Sequence, residues 1–600
     1  MRIARLQIKG FRGIKSADIQ LGEASVLIGP NNVGKTTIIE ALALILGRDG
    51  MVRNLTEHDF FGSNPRAEDR IKIIATIIGF SDENPARLPD WFSIKRGVPK
   101  WFNPSTGDER AINMAAPYKL ACNIAFQARF DHQNLEVETC RYFYDDDSHD
   151  DVFVEDAVTP VNINLVRDIG LFLVSANRSW DRMISFGSEL FRRVVSTDSG
   201  LPAESIILER DRLRTPVSPL ENDPRLKPVI DEVNGEISAL FGKGNSVHLR
   251  VTATDSASVL DSIVPHFESG EGPPVPARRQ GSGLISLQSL FLLLHFGKRR
   301  IEQGKGFCLA LEEPELHLPP TVQRRVLRRL KTLSSQVIVS THSPLVAGFS
   351  DPTELLVLSK SAEGVVRAVP VLEVPLPTET PNSIRTLYQL KRVELVTALM
   401  ADTVLIPEGV LDYEWFNMLA RVVELQPEAD AAGALFASGV GVVPTHDAAV
   451  EATYNYISKT HIHAFPIVDG DAAGQGYIQN LKVAGATRIL RWCNGWTIED
   501  VIGWIMGPAA GQILTAVGLE IPNAPQTLEA LVEKLKQSTG DGHLKGDRVA
   551  YEAISSAIGD QPLALTRAAE LLDAIALALG GKETPKFVDS ANDGVLIFVP

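Results

Sequence analysis

The sequence predicts an α/β protein built from two parallel-sheet units that are joined by a proline-rich stretch. A glycine-rich loop at residues 29–36 follows the apolar strand Ser25–Ile28, and a second apolar strand, Phe307–Glu313, ends in two glutamates. After the prolines, two more apolar strands end in acidic residues, at Glu408 and at Asp469. Strands and helices that alternate in this way favour parallel sheets, which bind ligands at the carboxyl ends of their strands.

The loop is the first motif that carries chemistry. It reads Gly-Pro-Asn-Asn-Val-Gly-Lys-Thr, with the spacing G-x-x-x-x-G-K-T, and a helix-like run, Thr37–Leu46, follows it. In this context backbone N–H groups cradle phosphates, Lys35 reaches the β/γ-phosphates and the Thr36 hydroxyl binds Mg²⁺. We therefore predict an ATP site with Mg²⁺, formed by Asn31, Gly34, Lys35, Thr36 and Thr37.

The second motif is the strand that ends in Glu312 and Glu313. Carboxylates at such a strand end hold the nucleotide's Mg²⁺ and polarise a water, so the two motifs together predict nucleotide hydrolysis. Gly281-Ser282-Gly283 precedes a helix just before this strand, and Thr341-His342-Ser343 follows the next strand, Gln336–Ser340.

Composition bounds the class of protein. Six hundred residues are too many for one core, so we expect two to four domains. The four cysteines are scattered, which supports neither a disulfide framework nor a cysteine zinc site. The apolar stretch Leu284–Phe296 is too short and too interrupted to span a bilayer, and Met1–Gly10 resembles a strand rather than a leader. We expect a cytoplasmic protein with no membrane contact.

The distribution of charge bears on whether the protein binds nucleic acid. The net charge of −15 argues against wholesale coating of nucleic acid, but it allows a local basic groove. One basic patch has helical spacing, which is also typical of a solvated helix face. Its members are Arg324, Arg325, Arg328, Arg329 and Lys331.

The domain organisation follows from changes of pattern along the chain. Residues of about 182–245 turn helical and charged, which predicts an inserted module for self-association, and residues of about 503–578 predict a second helical insert. Four prolines within Pro370–Pro381 mark a linker. We expect an ATPase domain at 1–375, a linker at 376–395 and a second α/β domain at 396–600.

The second half carries a set of carboxylates. The strand Thr403–Ile406 leads into Glu408-Gly409, Asp412 begins a helix, and the strand Ala464–Val468 leads into Asp469-Gly470-Asp471. In an extended backbone Asp469 and Asp471 project to the same side. Four acidic groups at one sheet edge repel each other unless a divalent metal neutralises them, so we predict a Mg²⁺ or Mn²⁺ site.

The first half resembles the ATP-binding-cassette ATPases, in particular the branch of RecF, SMC proteins and OLD (overcoming lysogenization defect) nucleases. The residues that carry the resemblance are Ile8-Lys9-Gly10-Phe11-Arg12-Gly13, the loop, and Glu312-Glu313-Pro314-Glu315-Leu316-His317. It implies that Glu312 binds Mg²⁺ directly or through a bound water, that Glu313 orients the attacking water and that His342 senses the γ-phosphate. Ser282 and Gly283 would contact the nucleotide of a second subunit, which implies a homodimer or a higher oligomer formed through the ATPase domain.

The second half resembles the Toprim domain of topoisomerases, primases and OLD nucleases, because Glu408-Gly409 precedes Asp469-x-Asp471 by about sixty residues. An ABC-type ATPase fused to a C-terminal Toprim domain is the OLD architecture. The resemblance implies two-metal cleavage of nucleic acid, with Glu408 as a bridging ligand or general acid/base. Asp469 and Asp471 would hold one ion, and Asp412 with Glu499 the other, Asp500 being the alternative to Glu499. A late lysine would face the scissile phosphate, either Lys582 or Lys545.

The predicted function is therefore that of an ATP-binding, divalent-metal-dependent DNA endonuclease gated by its ATPase. Its partners would be DNA, a second copy of the chain and a neighbouring defence protein, in phage defence or DNA repair. Two alternatives stay open: a RecF-like DNA-binding repair ATPase without nuclease activity, and a nucleotide-regulated scaffold for a partner protein.

Overall fold

Two α/β sheets organise the chain in the computed structural model. The structure describes residues 1–47, 55–112, 115–146, 151–154, 157–174, 204–241, 244–251, 254–255, 258–259, 266–268, 273–276, 279–316, 318–425, 433–446, 448–540, 542–581, 585–590 and 593–600. Part of the predicted insert (182–203) and the predicted catalytic Lys582 lie outside these residues.

The first sheet has 13 strands in the order β6-β5-β7-β4-β1-β2-β15-β14-β3-β13-β12-β9, with β8 beside β7. Its strands are Arg2–Phe11 (β1), Ile14–Gln20 (β2), Ala24–Ile28 (β3), Ile71–Ile78 (β4), Lys100–Phe102 (β5), Glu109–Arg110 (β6), Lys119–Asp131 (β7), Glu136–Tyr144 (β8), Leu171–Val174 (β9), Cys308–Glu312 (β12), Gln336–Ser340 (β13), Leu355–Lys360 (β14) and Val365–Pro370 (β15). A separate hairpin pairs His266–Phe267 (β10) with Val275–Pro276 (β11).

The strand order positions the nucleotide motifs. β3, which leads into the phosphate-binding loop, lies between β13 and β14 and is parallel to both. β12, which ends at Glu312, is parallel to β13. The loop, the Glu312 end and the turn at His342 therefore lie along one edge of the sheet. β7 and β8 form an antiparallel pair in the same sheet.

The second sheet has the order β17-β16-β18-β19-β21-β20. Its strands are Thr403–Ile406 (β16), Val440–Val442 (β17), Ala464–Val468 (β18), Ile489–Arg491 (β19), Val588–Ser590 (β20) and Val595–Phe598 (β21). All neighbours are parallel except β20 and β21. Because β16 and β18 are adjacent, Glu408 and Asp469 follow neighbouring strand ends.

The structure describes helices in both halves of the chain. In the first half they are Lys35–Leu46, Pro89–Phe92, Ile163–Ile169, Glu204–Arg214, Lys227–Phe241, Ser282–Glu302, Pro320–Leu333 and Pro344–Gly348. In the second half they are Asn382–Arg385, Arg392–Leu399, Val410–Glu424, Ala434–Gly439, Val450–Thr460, Ala472–Val483, Ile498–Met506, Ala510–Glu520, Leu528–Lys536, Arg548–Gly559 and Pro562–Gly580. The last five, with buried Ile502, Ile554 and Leu572, form most of the second core and fill the stretch predicted as a helical insert.

The predicted linker differs from what the structure contains. Only its first part is irregular, because Asn382–Arg385, a π-turn at Thr386–Leu390 and the helix Arg392–Leu399 are packed, with Leu395 and Val396 fully buried. The helix Arg392–Leu399 contacts both the helix Pro344–Gly348 and β17. A short helix that is apolar on several sides buries its surface against both neighbours instead of serving as a free tether.

Packing divides the described chain into two units. One comprises Met1–Leu173, Cys308–Glu313 and Gln336–Pro600, and the other comprises Val174–Phe307 and Pro314–Ser335. Both sheets belong to the first unit. The helices Glu204–Arg214 and Lys227–Phe241, which fall in the predicted self-association module, belong to the second.

One helical segment in the described part of the chain, Ile498–Glu520, meets the length and hydropathy criteria of a membrane span. It is broken at Gly507–Ala509, and its residues Val501, Ile505 and Met506 lie in the second core. Core helices of globular proteins meet the same criteria, so this finding is weak evidence for a membrane.

Candidate functional site

The phosphate-binding loop ends in a buried lysine. The Lys35 ammonium donates hydrogen bonds to the carbonyl oxygens of Gly29 (2.7 Å) and Pro30 (2.8 Å). Burial lowers the pKa of Lys35 to about 8, and Glu313 partly opposes this. Gly34 has φ +112, a left-handed conformation that favours glycine, while Asn31 and Thr36 are exposed. In this structure the Lys35 ammonium is therefore hydrogen-bonded to backbone carbonyl groups of the loop itself.

The two glutamates lie at the adjacent strand end. Glu312 is buried as the last residue of β12, and Glu313 follows it with φ +45, an unusual conformation for a non-glycine residue. The Glu313 N–H donates to the carbonyl oxygen of Ser340 (2.8 Å), the last residue of β13. His342 is two residues further on and exposed. The structure therefore brings Lys35, Glu312, Glu313 and His342 to the same sheet edge.

Arg12 is a residue of this site to which the sequence analysis gave no role. Its guanidinium donates to Asp59 (2.8 Å) and also pairs with Glu40 of the helix Lys35–Leu46. Burial raises the pKa of Glu40, Arg12 opposes the rise, and Glu312 adds to it. Arg12 thus links the first strand to the helix behind the phosphate-binding loop.

The predicted nucleotide contacts of a second subunit belong to the second packing unit. Ser282 and Gly283 begin the helix Ser282–Glu302, after Gly281, in the second packing unit. Their contact with a partner's nucleotide stays a prediction.

The carboxylates of the second half converge at the edge of the second sheet. Glu408 follows β16, and its side chain accepts a hydrogen bond from the Asp469 N–H (2.9 Å), which follows β18. Asp412, in the first turn of the helix Val410–Glu424, is buried and accepts from the Gly409 N–H (3.2 Å). Glu499, in the first turn of the helix Ile498–Met506, is also buried.

Electrostatics tie these groups together. Burial is the largest cause that raises the pKa of Asp412, and repulsion from Glu408 and Glu499 adds to it. Burial likewise raises the pKa of Asp469, with Asp412, Glu408, Glu499 and Asp471 adding to it. Such mutually raised pKa values mark carboxylates that share one site.

In the described part of the chain, the cluster contains one buried oxygen without a hydrogen-bond partner, but it is not a closed cage of ligands. The Asp469 Oδ1 atom is buried and has no hydrogen-bond partner among the described residues. A buried carboxylate oxygen in that state is costly and suits a cationic ligand. Among the residues that the structure describes, however, no three His, Cys, Asp or Glu side chains lie close enough together to hold one ion.

Asp471 differs from the prediction that it projects beside Asp469 from an extended strand. β18 ends at Val468, and Asp471 is the exposed N-cap of the helix Ala472–Val483, where it accepts from the Gly474 N–H (2.8 Å). The turn begins before the second aspartate, so the alternation of a strand does not extend to it.

Glu499 and Asp500 have different surroundings. Asp500 accepts from the Thr497 N–H (2.8 Å) and forms an ion pair with Lys536 (2.5 Å). Glu499 is the one of the two that raises the pKa values of Asp412 and Asp469.

Of the two lysines, Lys545 lies within electrostatic reach of the carboxylates. Burial raises the pKa of Glu408, and the Lys545 ammonium and the Asp469 N–H oppose the rise. Lys545 is exposed in the loop before the helix Arg548–Gly559. Lys582, the other candidate, lies outside the described residues.

Arg491 was missed by the sequence analysis. It is buried at the end of β19, and its guanidinium donates to the carbonyl oxygen of Gly470 (3.0 Å) and to Asn494 (2.6 Å). Gly470 itself is so enclosed that a Cβ there would lie 1.8 Å from the Cys493 carbonyl oxygen. The signal was a charged residue inside the apolar run Ile489–Trp492.

Comparison with known proteins identifies the first half. The family model "AAA ATPase domain" matches residues 1–148, and "AAA domain, putative AbiEii toxin, Type IV TA system" matches residues 166–348. Endonuclease GajA of Bacillus cereus is 24% identical over 473 residues, which are 77% of this chain and 74% of GajA. The OLD nuclease of Thermus scotoductus is 47% identical over 45 residues, 8% of each chain.

The chain is homologous to the OLD-family ATPase–nuclease proteins. This confirms the resemblance to OLD nucleases, while the Toprim assignment of the second half stays a prediction. A further relative of this OLD homologue, uncharacterized protein YbjD of Escherichia coli, is 23% identical over 500 residues, 80% of this chain and 82% of its own.

Solved SMC heads are also similar. The SMC head bound to the C-winged helix domain of ScpA covers 62% of the chain and 98% of its own, at 14% identity and TM-score 0.33. The SMC head domain of Thermotoga maritima covers 63% of this chain and 100% of its own, at 16% identity and TM-score 0.27. At these scores the ATPase assignment rests on the family models.

Proposed function

We propose that this OLD homologue is an ATP-binding, divalent-metal-dependent DNA endonuclease whose second half is a Toprim nuclease domain. The observation that carries the proposal is the convergence of Glu408, Asp412, Asp469 and Glu499 at the edge of one parallel sheet, with the buried Asp469 Oδ1 unsatisfied. Buried carboxylates that only repel each other are costly, and a structural domain has no use for them. The endonuclease activity named for GajA supports the same function.

The cluster fits Mg²⁺ or Mn²⁺. Mg²⁺ keeps several waters and is usually bound by one or two carboxylates together with substrate phosphates. The absence of three convergent ligands among the described side chains is therefore compatible with ions that water and DNA complete. Asp469 and Asp471 would hold one ion, and Asp412 with Glu499 the other. When bound, such ions activate a water and stabilise the leaving oxygen.

The chain's own residues supply positioning and proton transfer. Glu408 holds the Asp469 turn by accepting the backbone N–H of Asp469, so one side chain joins the ends of β16 and β18. Burial raises the pKa of Glu408, which suits a group that exchanges a proton with water. Lys545 or Lys582 would neutralise the scissile phosphate.

The ATPase half would gate cleavage. Lys35 and Thr36 would bind the phosphates and Mg²⁺ together with Glu312, Glu313 would orient water, and His342 would sense the γ-phosphate. His342 lies just before the helix Pro344–Gly348, which contacts the helix Arg392–Leu399. Ser282 and Gly283 would complete the nucleotide site of a second copy, which makes the working form a homodimer or larger. We place this activity in the cytoplasm, in phage defence or DNA repair.

The test is cleavage of supercoiled plasmid with Mg²⁺ or Mn²⁺, with and without ATP. We expect nicking or linearisation by the wild type and a loss of at least roughly a hundredfold in Asp469→Asn. Asp593→Asn, an exposed aspartate of the same half, is the matched control and should cut normally. Lys35→Ala should remove any effect of ATP. Folded, ATP-hydrolysing protein that cuts nothing with either metal would overturn the proposal in favour of a DNA-binding ATPase or a scaffold.

A further inference from the structure

The helix Pro320–Leu333, which we call the arginine helix, has two sharply different faces. Val326, Leu327 and Leu330 are buried in the protein. The opposite face carries four exposed arginines, Arg324, Arg325, Arg328 and Arg329. Lys331 adds a fifth basic residue, and the helix contains no Asp or Glu.

Three of the arginines on this face have no local counter-charge among the described side chains. Arg325, Arg328 and Arg329 form no ion pair with any side chain that the structure describes. They lie at i, i+3 and i, i+4 spacing, where like charges destabilise a helix. Elsewhere in the chain, basic residues on helices pair with acids at this spacing, as in Lys298–Glu302 and Arg212–Glu209.

Net composition makes the imbalance more informative. The chain has 74 acidic and 59 basic residues, so acidic partners are abundant. An ordinary solvated helix face would intersperse them. A face whose charged residues are all basic suits a polyanionic partner that supplies the negative charge.

We propose that the arginine helix is a binding surface for the phosphate backbone of duplex DNA. Residues i and i+4 are about 6 Å apart along a helix, close to the roughly 6.8 Å that two steps along one DNA strand span. Guanidinium groups bind phosphate oxygens in pairs, which arginine does better than lysine. Contacts of this kind position DNA and add affinity without reading its sequence. The choice of DNA rests on the proposed nuclease function.

An anionic membrane is the less suitable partner. Basic helices that bind membranes insert exposed apolar side chains beside their charges. Here the apolar residues Val326, Leu327 and Leu330 are buried in the protein instead.

The test measures binding of a fluorescent DNA duplex to the full chain by anisotropy, in EDTA so that cleavage does not interfere, over a series of salt concentrations. The variant is Arg325→Gln/Arg328→Gln/Arg329→Gln. Each phosphate contact contributes about 0.9 to the slope of log affinity against log salt. We expect the slope to fall in magnitude by about 2–3 and the affinity at about 0.1 M salt to drop at least tenfold.

Two controls keep the result interpretable. In the first control the same three arginines are replaced by lysine, which keeps the charge and should retain most of the affinity and slope. Because this variant changes the same positions, its binding would show that substitution there does not by itself disrupt the fold. Arg66→Gln/Arg87→Gln/Arg96→Gln removes equal charge from exposed sites of the other unit and should leave binding unchanged.

The outcomes separate this inference from the nuclease proposal. The DNA-binding inference would be overturned if the glutamine variant bound duplex DNA with wild-type affinity and slope, or if the wild type bound no duplex. Arginine-dependent binding to phosphatidylserine vesicles but not to DNA would also overturn it. Arginine-dependent DNA binding without cleavage in any metal would support the surface while the nuclease proposal fails.

Discussion

Replacing Asp412 by asparagine should stabilise the metal-free protein. Burial, with Glu408 and Glu499, raises the pKa of Asp412 from 3.8 to about 7. At pH 8 the ionised group therefore costs the folded state up to about 4 kcal/mol, at about 1.4 kcal/mol per pH unit. Because the neighbouring carboxylates readjust their own protonation, we expect about half of this, roughly 2 kcal/mol. Asparagine keeps the acceptor for the Gly409 N–H.

The assay is calorimetry in EDTA across pH. Because both sheets belong to one large packing unit, on the order of 450 residues, a gain of roughly 2 kcal/mol raises its Tm by about 2 °C. The folded-state pKa lies above the unfolded one, so the wild-type penalty is absent below about pH 4 and complete above about pH 7. The Tm advantage of Asp412→Asn should therefore grow as pH rises over that range.

Divalent metal should make the wild type more stable than Asp412→Asn, the reverse of the order expected in EDTA. Mg²⁺ or Mn²⁺ binds the folded wild type and stabilises it, whereas the variant should gain little. Asp500→Asn is the matched control, since Asp500 makes the same kind of capping contact outside the cluster. It should lose up to about 1 kcal/mol with its Lys536 pair and respond normally to metal. A lower Tm for Asp412→Asn in EDTA, or equal stabilisation of it by metal, would refute the reasoning.

Two further predictions concern Lys35 and Gly470. Burial lowers the pKa of Lys35 to about 8, and bound phosphates should raise it again. Binding of ADP at pH 9 should therefore take up nearly one proton, and the affinity for ADP should fall about tenfold per pH unit above pH 8. Calorimetric titration in buffers of different ionisation enthalpy measures this, and no uptake at pH 9 would contradict it. Gly470→Ala should destabilise by about 1–3 kcal/mol because its Cβ would lie 1.8 Å from the Cys493 carbonyl oxygen. Gly476→Ala is the control, because a Cβ at Gly476 would meet no atom within 4 Å. Equal Tm values for Gly470→Ala and the wild type would contradict the prediction and show that the loop at Gly470 can shift to accept the methyl group.

The strands that carry the site were predictable from sequence. β13, β16 and β18 match their predicted bounds, because short apolar runs that stop abruptly at polar residues leave little choice of limits. Glu312 and Asp469 could be placed at sheet edges for the same reason.

The orientation of side chains past those strand ends was not predictable. Glu499 and Asp500 are adjacent in the first turn of one helix, so only the phase of that helix decides which of them enters the core. Asp471 caps a helix because the turn begins one residue after the strand, a detail that alternation does not encode. Arg491 is buried by tertiary hydrogen bonds, and its only local signal is a charge inside the apolar run Ile489–Trp492, which does not identify the hydrogen-bond partners.

The packed helix Arg392–Leu399 determines how this protein can be divided for study. Val393 lies so close to Gly348 that a Cβ on the glycine would be 2.7 Å from it, and the Arg392 guanidinium donates to the Ser350 carbonyl oxygen (2.9 Å). Truncation on either side of the helix would bare an apolar face, so separately expressed halves should aggregate or misfold. A proteolytic nick in the largely exposed stretch 373–379 would sever the backbone and leave the fragments associated. Complementation between nicked fragments, rather than between isolated halves, is therefore the practical route to mixing mutant and wild-type modules.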